Sequence, residues 1–217
     1  MTESNPTVVV AGGDPVAADS LAGLPDPAFV VAADSGLHAA AALGLRVDLV
    51  VGDLDSAHPE AVTAALSAGA ELDRHPADKD ATDLELALEA CLSRGLHPVI
   101  VLGGASFERI DHFMANALLL ADPRFAPLRA TWHVKGATVV PVYDDAEIRG
   151  EPGDVVTLLA VGGPAGGVTT RGLRWELHDE TLAAGSTRGV SNEMLGAAAA
   201  VSVRTGSLLT IHHGNTA

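Results

Sequence analysis

The sequence predicts an α/β protein: an N-terminal open parallel sheet with helices on both faces, followed by a small C-terminal antiparallel β-sandwich. In the first half, short apolar runs alternate with amphipathic segments, an order typical of a parallel sheet covered by helices. After about residue 122, short β-type runs punctuated by Gly and Pro replace this alternation, and no helical period is sustained. We therefore expect two domains, residues 1–126 and residues 127–217.

The predicted elements of the first domain are bounded by turn residues and helix caps. Pro59 stands near the start of one helix, and Thr82 and Glu85 have the spacing of a capping box at the start of another. Strands are expected at 7–11, 29–33, 48–51 and 98–102. Helices are expected at 38–45, 59–67, 82–93 and 108–120.

The second domain is predicted from four β-type runs. These runs lie at 138–142, 155–161, 167–170 and 199–211, and the last is broken at Arg204-Thr205-Gly206, which we interpret as a hairpin turn. The glycine-rich segment 162–167 resembles a phosphate loop, but it does not stand between a strand and a helix. We therefore expect it to be a flexible hairpin connection.

Composition excludes several classes of protein. Thirteen basic and 28 acidic residues among 217 give a net charge of −15, which argues against a partner that is a nucleic acid or an anionic membrane. A nucleotide enzyme is still compatible, because a divalent cation can stand between carboxylates and phosphates. Cys91 is the only cysteine and is expected to be a buried small hydrophobe. With no leader-like or membrane-spanning run of ~18 to 20 apolar residues, we expect an intracellular protein.

Acidic side chains collect where the predicted strands end. Asp34 follows the second strand, and Asp53 and Asp55 follow the third, in Gly52-Asp53-Leu54-Asp55-Ser56. Ligands of open parallel sheets bind at this edge. Two carboxylates at positions i and i+2 of an extended turn can reach one ion, and Mg²⁺ relieves their mutual repulsion.

Two further clusters follow. In Asp78-Lys79-Asp80-Ala81-Thr82-Asp83-Leu84-Glu85, Thr82, Asp83 and Glu85 can serve as caps, but capping does not explain Lys79 or Asp80. In Gly103-Gly104-Ala105-Ser106-Phe107-Glu108-Arg109-Ile110-Asp111-His112, Arg109 and Asp111 can be functional or an ordinary exposed pair. Neither a P-loop nor a dinucleotide fingerprint occurs in the sequence, which disfavours those two enzyme classes.

The three clusters resemble the thiamine pyrophosphokinase family, in which similar motifs occur in the same order and at similar intervals. The second half adds Arg171-Gly172-Leu173-Arg174-Trp175-Glu176-Leu177 and Ser191-Asn192-Glu193, which are similar to the thiamine-binding half of that family. The resemblance implies a cytoplasmic homodimer with active sites between subunits. It also implies Mg²⁺-dependent transfer of a pyrophosphoryl group from ATP to the thiamine hydroxyl, with release of AMP.

The resemblance further implies roles for individual residues. Residues 1–126 would bind nucleotide and metal and carry the catalysis, and residues 127–217 would bind thiamine. Mg²⁺ would be held by Asp53, Asp55 and Asp80, which with Arg109 and Asp111 form the implied catalytic set. ATP would be contacted or oriented by Asp34, Lys79, Thr82, Asp83 and Arg109. The thiamine pocket would include Trp175, Ser191 and Asn192.

The chemistry of these residue types agrees with that reaction. Attack at the β-phosphorus needs charge neutralisation and alignment more than covalent catalysis, and carboxylate-held metal, Lys79 and Arg109 can supply the neutralisation. Thiamine is an aromatic cation, which suits an acidic protein. Trp175 is a candidate for stacking on it, and the alternative is a tryptophan that only packs in a strand.

Two departures from the family pattern keep alternatives open. Phe107-Glu108-Arg109 stands where the family usually has Gly-Gly-Arg, and Asp34-Ser35-Gly36 replaces a more usual Asp-Gly-Gly. The alternatives are a pyrophosphokinase for another acceptor, such as a hydroxymethylpterin, a non-catalytic thiamine binder, and a metal-dependent phosphohydrolase. Alanine at Asp53 separates an enzyme from a binder, since only the enzyme needs the metal.

Overall fold

A computed structural model describes residues 5–106 and 108–214 of the chain. These residues form two compact units: one comprises residues up to 116 together with 127–134, and the other comprises 117–126 together with residues from 135 onward. The mixture of parallel strands, helices and later antiparallel strands confirms the predicted fold class.

The first unit contains a six-stranded parallel sheet in the order β4-β3-β2-β1-β5-β6. Its strands are β1 (Thr7–Ala11), β2 (Phe29–Ala33), β3 (Leu49–Gly52), β4 (Glu71–Arg74), β5 (Val99–Gly103) and β6 (Thr131–Val134). The helices are α1 (Gly36–Ala42), α2 (Pro59–Ser67), α3 (Asp83–Ser93) and α4 (Ile110–Leu120), the last of which continues into the second unit. Two 3₁₀ turns are formed by Ala18–Leu21 and Pro123–Leu128.

Side chains alternate between the two faces of the sheet along each strand, and this alternation shows which helices cover which face. Val8 and Val10 of β1 belong to one hydrophobic cluster with residues of α1 and α2, whereas Val9 is equally buried but outside that cluster. Helix α3 packs against β1, β2 and β3, and its own buried residues are also outside the cluster. The helices therefore cover both faces, as predicted.

The second unit is antiparallel and surrounds a separate hydrophobic core that includes Leu158, Leu173 and Leu208. Its strands are β7 (Ala137–Val142), β8 (Asp145–Arg149), β9 (Val155–Arg171), β10 (Glu180–Leu182), β11 (Asn192–Glu193), β12 (Ala198–Ser202) and β13 (Thr205–His213). Strand β9 pairs with β10, β11, β12 and β13 and is therefore the central strand of the unit.

Two predictions for the second unit were wrong. The glycine-rich segment 162–167 is not a hairpin connection but part of the continuous strand β9. The segment Arg204-Thr205-Gly206 does not close a hairpin, because β12 pairs with residues 169–171 of β9 and β13 pairs with residues 155–166. The glycines allow one long strand to change partners: Gly162 and Gly167 have φ of +73° and +68°, and the register with β13 shifts between Thr205 and Ser207.

Cys91 lies on α3 and is fully buried, as predicted. Burial raises the pKa of its thiol to about 12, with a smaller opposing effect from Arg94. Because the thiolate is the reactive form, the native thiol is chemically inert.

We therefore expect Cys91 in the native protein to resist labelling by a disulfide reagent at pH 8 for hours. In denaturant, one equivalent of thiol should react within minutes. Labelling in intermediate urea should follow unfolding measured by circular dichroism. Rapid labelling without denaturant would contradict the burial of this side chain.

Among the helices of the described residues, none combines the length and apolar character that a membrane span requires.

Candidate functional site

A cleft of about 600 Å³ opens at the carboxyl edge of the parallel sheet in the first unit. Parallel strands end there together, so the loops that follow them meet, as expected for the ligand site of an open α/β sheet. Its walls are the loops after β1, β2, β3 and β5, the segment leading into α3, and the beginning of α4. The charged side chains that line it are Asp14, Asp34, Asp53, Asp55, Lys79, Asp83, Glu108 and Arg109.

Three carboxylates converge in this cleft. Asp34, Asp53 and Asp55 each offer an oxygen, and these oxygens lie within 4.8 Å of one another. Asp34 follows β2 and has a left-handed backbone, with φ of +46°. Asp53 and Asp55 follow β3, where the backbone N–H of Asp55 donates to Asp53 Oδ1 at 3.1 Å. The loops thus bring Asp34 together with two residues that lie 19 and 21 positions later in the chain.

Gly52 makes this approach sterically feasible. Its φ of +141° is in a region that favours glycine, and a Cβ there would lie 2.8 Å from Asp83 Oδ1 and 3.2 Å from Asp34 Cβ. The next positive φ in the loop is +67° at Leu54. The sequence Gly52-Asp53-Leu54-Asp55 is therefore built to hold carboxylates close to the neighbouring loop.

Asp34 has the properties of a cation ligand. Its residue is only 7% exposed, and Oδ1 is buried with no hydrogen-bond partner. Burial raises the pKa of the Asp34 carboxyl; a hydrogen bond from the Ser35 backbone opposes this, and the nearby Asp83, Asp55 and Asp53 raise it further. An unsatisfied buried oxygen beside two other carboxylates fits a hard divalent cation such as Mg²⁺, which prefers oxygen ligands.

We expect Asp34→Asn to raise the melting temperature in EDTA, because it removes a buried charge from a repulsive cluster. The gain should be about 2–4 °C, which corresponds to roughly 1 kcal/mol in a chain of this size. Added Mg²⁺ should stabilise the wild type more than the variant. Calorimetry with and without Mg²⁺ measures both effects, and an equal Mg²⁺ shift in both proteins would contradict a ligand role for Asp34.

Lys79 supplies the positive charge of the cluster. Its Nζ lies 2.6 Å from Asp53 Oδ2 and 2.7 Å from Asp83 Oδ1, and its side chain is 13% exposed. Burial alone would lower the pKa of Lys79, but the bonds to Asp53 and Asp83 outweigh it and the pKa is raised. The same hydrogen bond lowers the pKa of the Asp53 carboxyl. Both groups are therefore charged at neutral pH.

The beginning of α3 combines capping with charge. Thr82 is the N-cap, and its side-chain oxygen accepts a hydrogen bond from the backbone N–H of Glu85 at 3.2 Å. The expected cap is thus formed, and Thr82 also lines the cleft. Asp83 lines it too and pairs with Lys79. Asp80, predicted as a metal ligand, is exposed and lies outside the three-carboxylate cluster, whose third member is Asp34.

Arg109 and Asp111 form an exposed pair at the beginning of α4. Arg109 Nη2 lies 2.9 Å from Asp111 Oδ2, and the guanidinium also contacts His112. Arg109 and His112 line the cleft, whereas Asp111 is not among the lining residues. The hydrogen bond from Arg109 lowers the pKa of Asp111 to about 2. Glu108 also lines the cleft, and Phe107 lies outside the described residues.

The predicted thiamine residues form a local group in the second unit. Trp175 is 55% exposed, and the Arg174 guanidinium lies 5.0 Å from the centre of its ring. Asn192 is buried and holds the Trp175 backbone, accepting from its N–H at 3.1 Å and donating to its C=O at 2.8 Å. Ser191 has φ of +60°, and its backbone N–H donates to Thr157 Oγ1 at 3.1 Å. Asn192 thus fixes the backbone of Trp175, whose ring is exposed.

Two residues beside the cleft were not singled out from the sequence. Asn116 on α4 and Trp132 on β6 donate to the carbonyls of Gly104 and Gly103 at 2.8 and 2.7 Å. Asn116 follows Asp111 by more than one helical turn, and Trp132 comes from a strand that was not predicted. In the sequence, the one sign of a special role for either residue is that Asn116 is polar within the mainly apolar part of its helix.

Comparisons with known proteins agree on one family. The model of the thiamin pyrophosphokinase catalytic domain matches residues 24–131. The model of the thiamin pyrophosphokinase vitamin B1 binding domain matches residues 145–210. Both models describe the same family. The catalytic model matches the N-terminal half of the chain and the vitamin B1 binding model matches the C-terminal half.

Curated relatives and solved structures are similar to the chain over different extents. Thiamine pyrophosphokinase 1 of Oryza sativa subsp. japonica is 30% identical over 157 residues, covering 68% of this chain and 59% of the relative. Thiamine pyrophosphokinase of Bacillus subtilis has a TM-score of 0.82 at 22% identity, with 97% of this chain and 99% of that chain covered. The Candida albicans enzyme has a TM-score of 0.78 at 14% identity, with 98% and 90% covered. The chain therefore spans a little over half of the curated rice relative and nearly all of these two structures.

Proposed function

The chain belongs to the thiamin pyrophosphokinase family, and from this we propose that it transfers the pyrophosphoryl group of ATP to the hydroxyl of thiamine, giving thiamine diphosphate and AMP. We assign catalysis and nucleotide binding to residues 1–126 and thiamine binding to residues 127–217. The positions of the two family matches, 24–131 and 145–210, support this division.

The observation that carries the proposal is the carboxylate cluster with its unsatisfied Asp34 oxygen. We propose that Asp34, Asp53 and Asp55 hold Mg²⁺, and that Asp80, the other predicted ligand, reaches the ion from the segment before α3. Bound there, the ion would neutralise the phosphate oxygens and help to orient them. Such an ion would also reduce the repulsion between these carboxylates and the phosphates of a nucleotide.

Charge neutralisation by the protein itself would come from Lys79 and Arg109. Lys79 is anchored between Asp53 and Asp83, and Arg109 lines the cleft. Both can therefore point a fixed positive charge at the phosphate chain. Thr82 and Asp83 line the same wall of the cleft and complete the proposed ATP site.

We assign Asp111 to orienting Arg109. A carboxyl with a pKa of about 2 is a very weak base at neutral pH, so proton abstraction from the thiamine hydroxyl is a poor use of this group. Its two hydrogen bonds to Arg109, at 3.1 and 2.9 Å, are instead suited to holding the guanidinium plane.

For thiamine, we propose stacking on the exposed ring of Trp175. The Arg174 guanidinium beside this ring indicates that the ring attracts cations, and thiamine carries a cationic ring. Asn192 would position Trp175 through its backbone, and Ser191 would stand beside the pocket.

We further propose a homodimer with active sites at the subunit interface, in the cytoplasm. An apolar stripe on α4 supports an interface: Ile110, Met114 and Leu118 are 56, 59 and 57% exposed at helical spacing. Light scattering should give a dimer at micromolar concentration, and Met114→Lys should shift it to monomer. Leu66→Lys, on the exposed part of α2, is the control. A wild-type monomer would overturn the interface.

The proposed reaction is tested by incubating the protein with ATP, Mg²⁺ and thiamine and resolving the products by chromatography. We expect AMP and thiamine diphosphate in equal amounts, both lost with EDTA. ADP with thiamine monophosphate would mean an ordinary kinase. Thiamine binding without product would mean a binder that has lost catalysis, and AMP formed only with a hydroxymethylpterin would change the acceptor.

A further inference from the structure

We infer that Trp132 and Asn116 are positioning residues for the nucleotide, which hold the turn at Gly103 and Gly104 in a shape that can receive phosphates. The inference rests on the proposed function, because it assigns this wall of the cleft to ATP. It is carried by four hydrogen bonds around the turn, two from side chains and two from the backbone.

The turn has a backbone that only glycine adopts readily. Gly103 and Gly104 are consecutive residues with φ of +79° and +72°. A Cβ at Gly103 would lie 2.3 Å from the Ala11 carbonyl oxygen, so the turn also lies against β1. Gly104, Ala105 and Ser106 line the cleft. Backbone amides in turns can form concave surfaces that bind anions. The N–H of Gly104 donates to Gly12 O, so it fixes the shape of the turn and leaves anion binding to the residues that follow it.

An anion site of this kind requires that carbonyl oxygens do not face the ligand. In this turn both glycine carbonyls are occupied by buried donors. Trp132 Nε1 donates to Gly103 O at 2.7 Å, and Asn116 Nδ2 donates to Gly104 O at 2.8 Å. Trp132 is 0% exposed and Asn116 is 7% exposed, so water cannot replace the carbonyl acceptor of either donor without a cost in free energy. The two side chains therefore fix the direction of two successive peptide planes.

Backbone hydrogen bonds hold the first of these two planes from its other side and also hold the peptide that follows Ala105. The N–H of Gly104 donates to Gly12 O at 2.9 Å, and the N–H of Asp14 donates to Ala105 O at 2.8 Å. Because a peptide group is planar, the Trp132 bond on the carbonyl and the Gly12 bond on the amide orient one plane together. The loops after β1 and β5 are thereby joined, and turning over the peptide between Gly103 and Gly104 would break bonds on both sides.

Kinetics test the inference with a variant that preserves packing. Trp132→Phe keeps a ring against Phe113, whose centroid lies 5.5 Å from that of Trp132, but it removes the N–H donor. We expect the KM for ATP to rise about tenfold, the effect of one lost orienting hydrogen bond. The KM for thiamine and kcat should change less than about twofold. Asn116→Leu should act in the same direction.

The control is Phe125→Leu, which trims another buried aromatic side chain, one that belongs to the second unit. It should lower thermal stability and leave the KM for ATP unchanged. If Trp132→Phe lowers stability in the same way and does not raise the KM for ATP, Trp132 has a packing role only and the inference is overturned. An equal rise in both KM values would overturn it as well, since the turn would then not be specific to the nucleotide.

A binding measurement separates this inference from the proposed reaction. Trp132 and Trp175 are the only tryptophans, so in Trp175→Phe the emission reports on Trp132 alone. Titration with MgATP, without thiamine, should change that emission saturably, and Asn116→Leu in the same background should weaken the apparent affinity about tenfold. Binding without any AMP formation by the wild type would leave this inference standing and overturn the reaction. Absence of a response, or unchanged affinity in the Asn116 variant, would overturn the inference.

Discussion

Replacing Asp53 by alanine is expected to lower kcat by at least about 10³-fold, because it removes both a cation ligand and the main partner of Lys79. The fold should remain intact, since Asp53 is a loop residue and Lys79 keeps its bond to Asp83. Thiamine binding should also be preserved. The measurement is the steady-state rate of AMP formation with saturating ATP, Mg²⁺ and thiamine, together with circular dichroism.

The matched control is Asp26→Asn, which removes one negative charge at an exposed position outside the cleft. It should leave kcat within about twofold of the wild type, because distant surface charges are screened by salt. If Asp53→Ala retained more than about a tenth of the wild-type rate, the carboxylate cluster would not be the metal site. The metal ligands would then have to be sought among other residues.

Lys79→Met is expected to lower kcat/KM for ATP by about 10²-fold, the usual cost of removing one preorganised charge from a phosphoryl-transfer site. It should also lower the melting temperature in EDTA. Asp53 and Asp83 would lose their shared cation in a cluster that already contains Asp34 and Asp55. Added Mg²⁺ should restore part of that stability, because the ion replaces the missing positive charge.

Lys135→Met is the natural control, since Lys79 and Lys135 are the only two lysines of the chain and Lys135 stands in the turn between β6 and β7. It should leave both kcat/KM and the Mg²⁺-dependent stabilisation unchanged. A fall in kcat/KM of similar size in both variants would show that the effect comes from overall charge. Equal stability of Lys79→Met and the wild type in EDTA would contradict the compensating role of Lys79.

The parallel sheet could be predicted because its central strands are buried on both faces. Strands β1, β2, β3 and β5 are short apolar runs that end at Gly or Asp, a pattern that leaves little ambiguity. Strand β4 was missed because Glu71-Leu72-Asp73-Arg74 is mostly exposed at the sheet edge and reads as polar. Strand β6 was missed because it follows residue 126, where the predicted pattern changes, yet it pairs in parallel with β5.

The second unit was harder because strand breaks and strand bends have the same sequence signal. Glycines at 162–167 suggested a connection, but tertiary pairing with β13 keeps them in one strand. Residues Arg204-Thr205-Gly206 suggested a hairpin for the same reason. In both cases the partner of the segment lies far away in sequence, so no local pattern contains the information.

The site could be predicted where charge and strand ends coincide. Asp53, Asp55 and Lys79 stand out as charged residues immediately after apolar runs or before a helix, and they line the cleft. Asp80 stays a predicted ligand, and the loop geometry adds Asp34, which was predicted only as an ATP contact, to the carboxylate cluster. Direction of a side chain in a turn depends on φ and ψ, and the left-handed φ of Asp34 could not be read from its neighbours.

Following isotope-labelled ATP into products tests the proposed reaction most directly, because it reports which phosphate bond breaks. With thiamine and Mg²⁺, label at the α-phosphate should appear in AMP. Label at the γ-phosphate should appear in thiamine diphosphate, one label per molecule, as attack at the β-phosphorus requires. Both signals should disappear in Asp53→Ala. Label at the α-phosphate recovered in ADP, or γ-label recovered as inorganic phosphate, would contradict pyrophosphoryl transfer in this cleft.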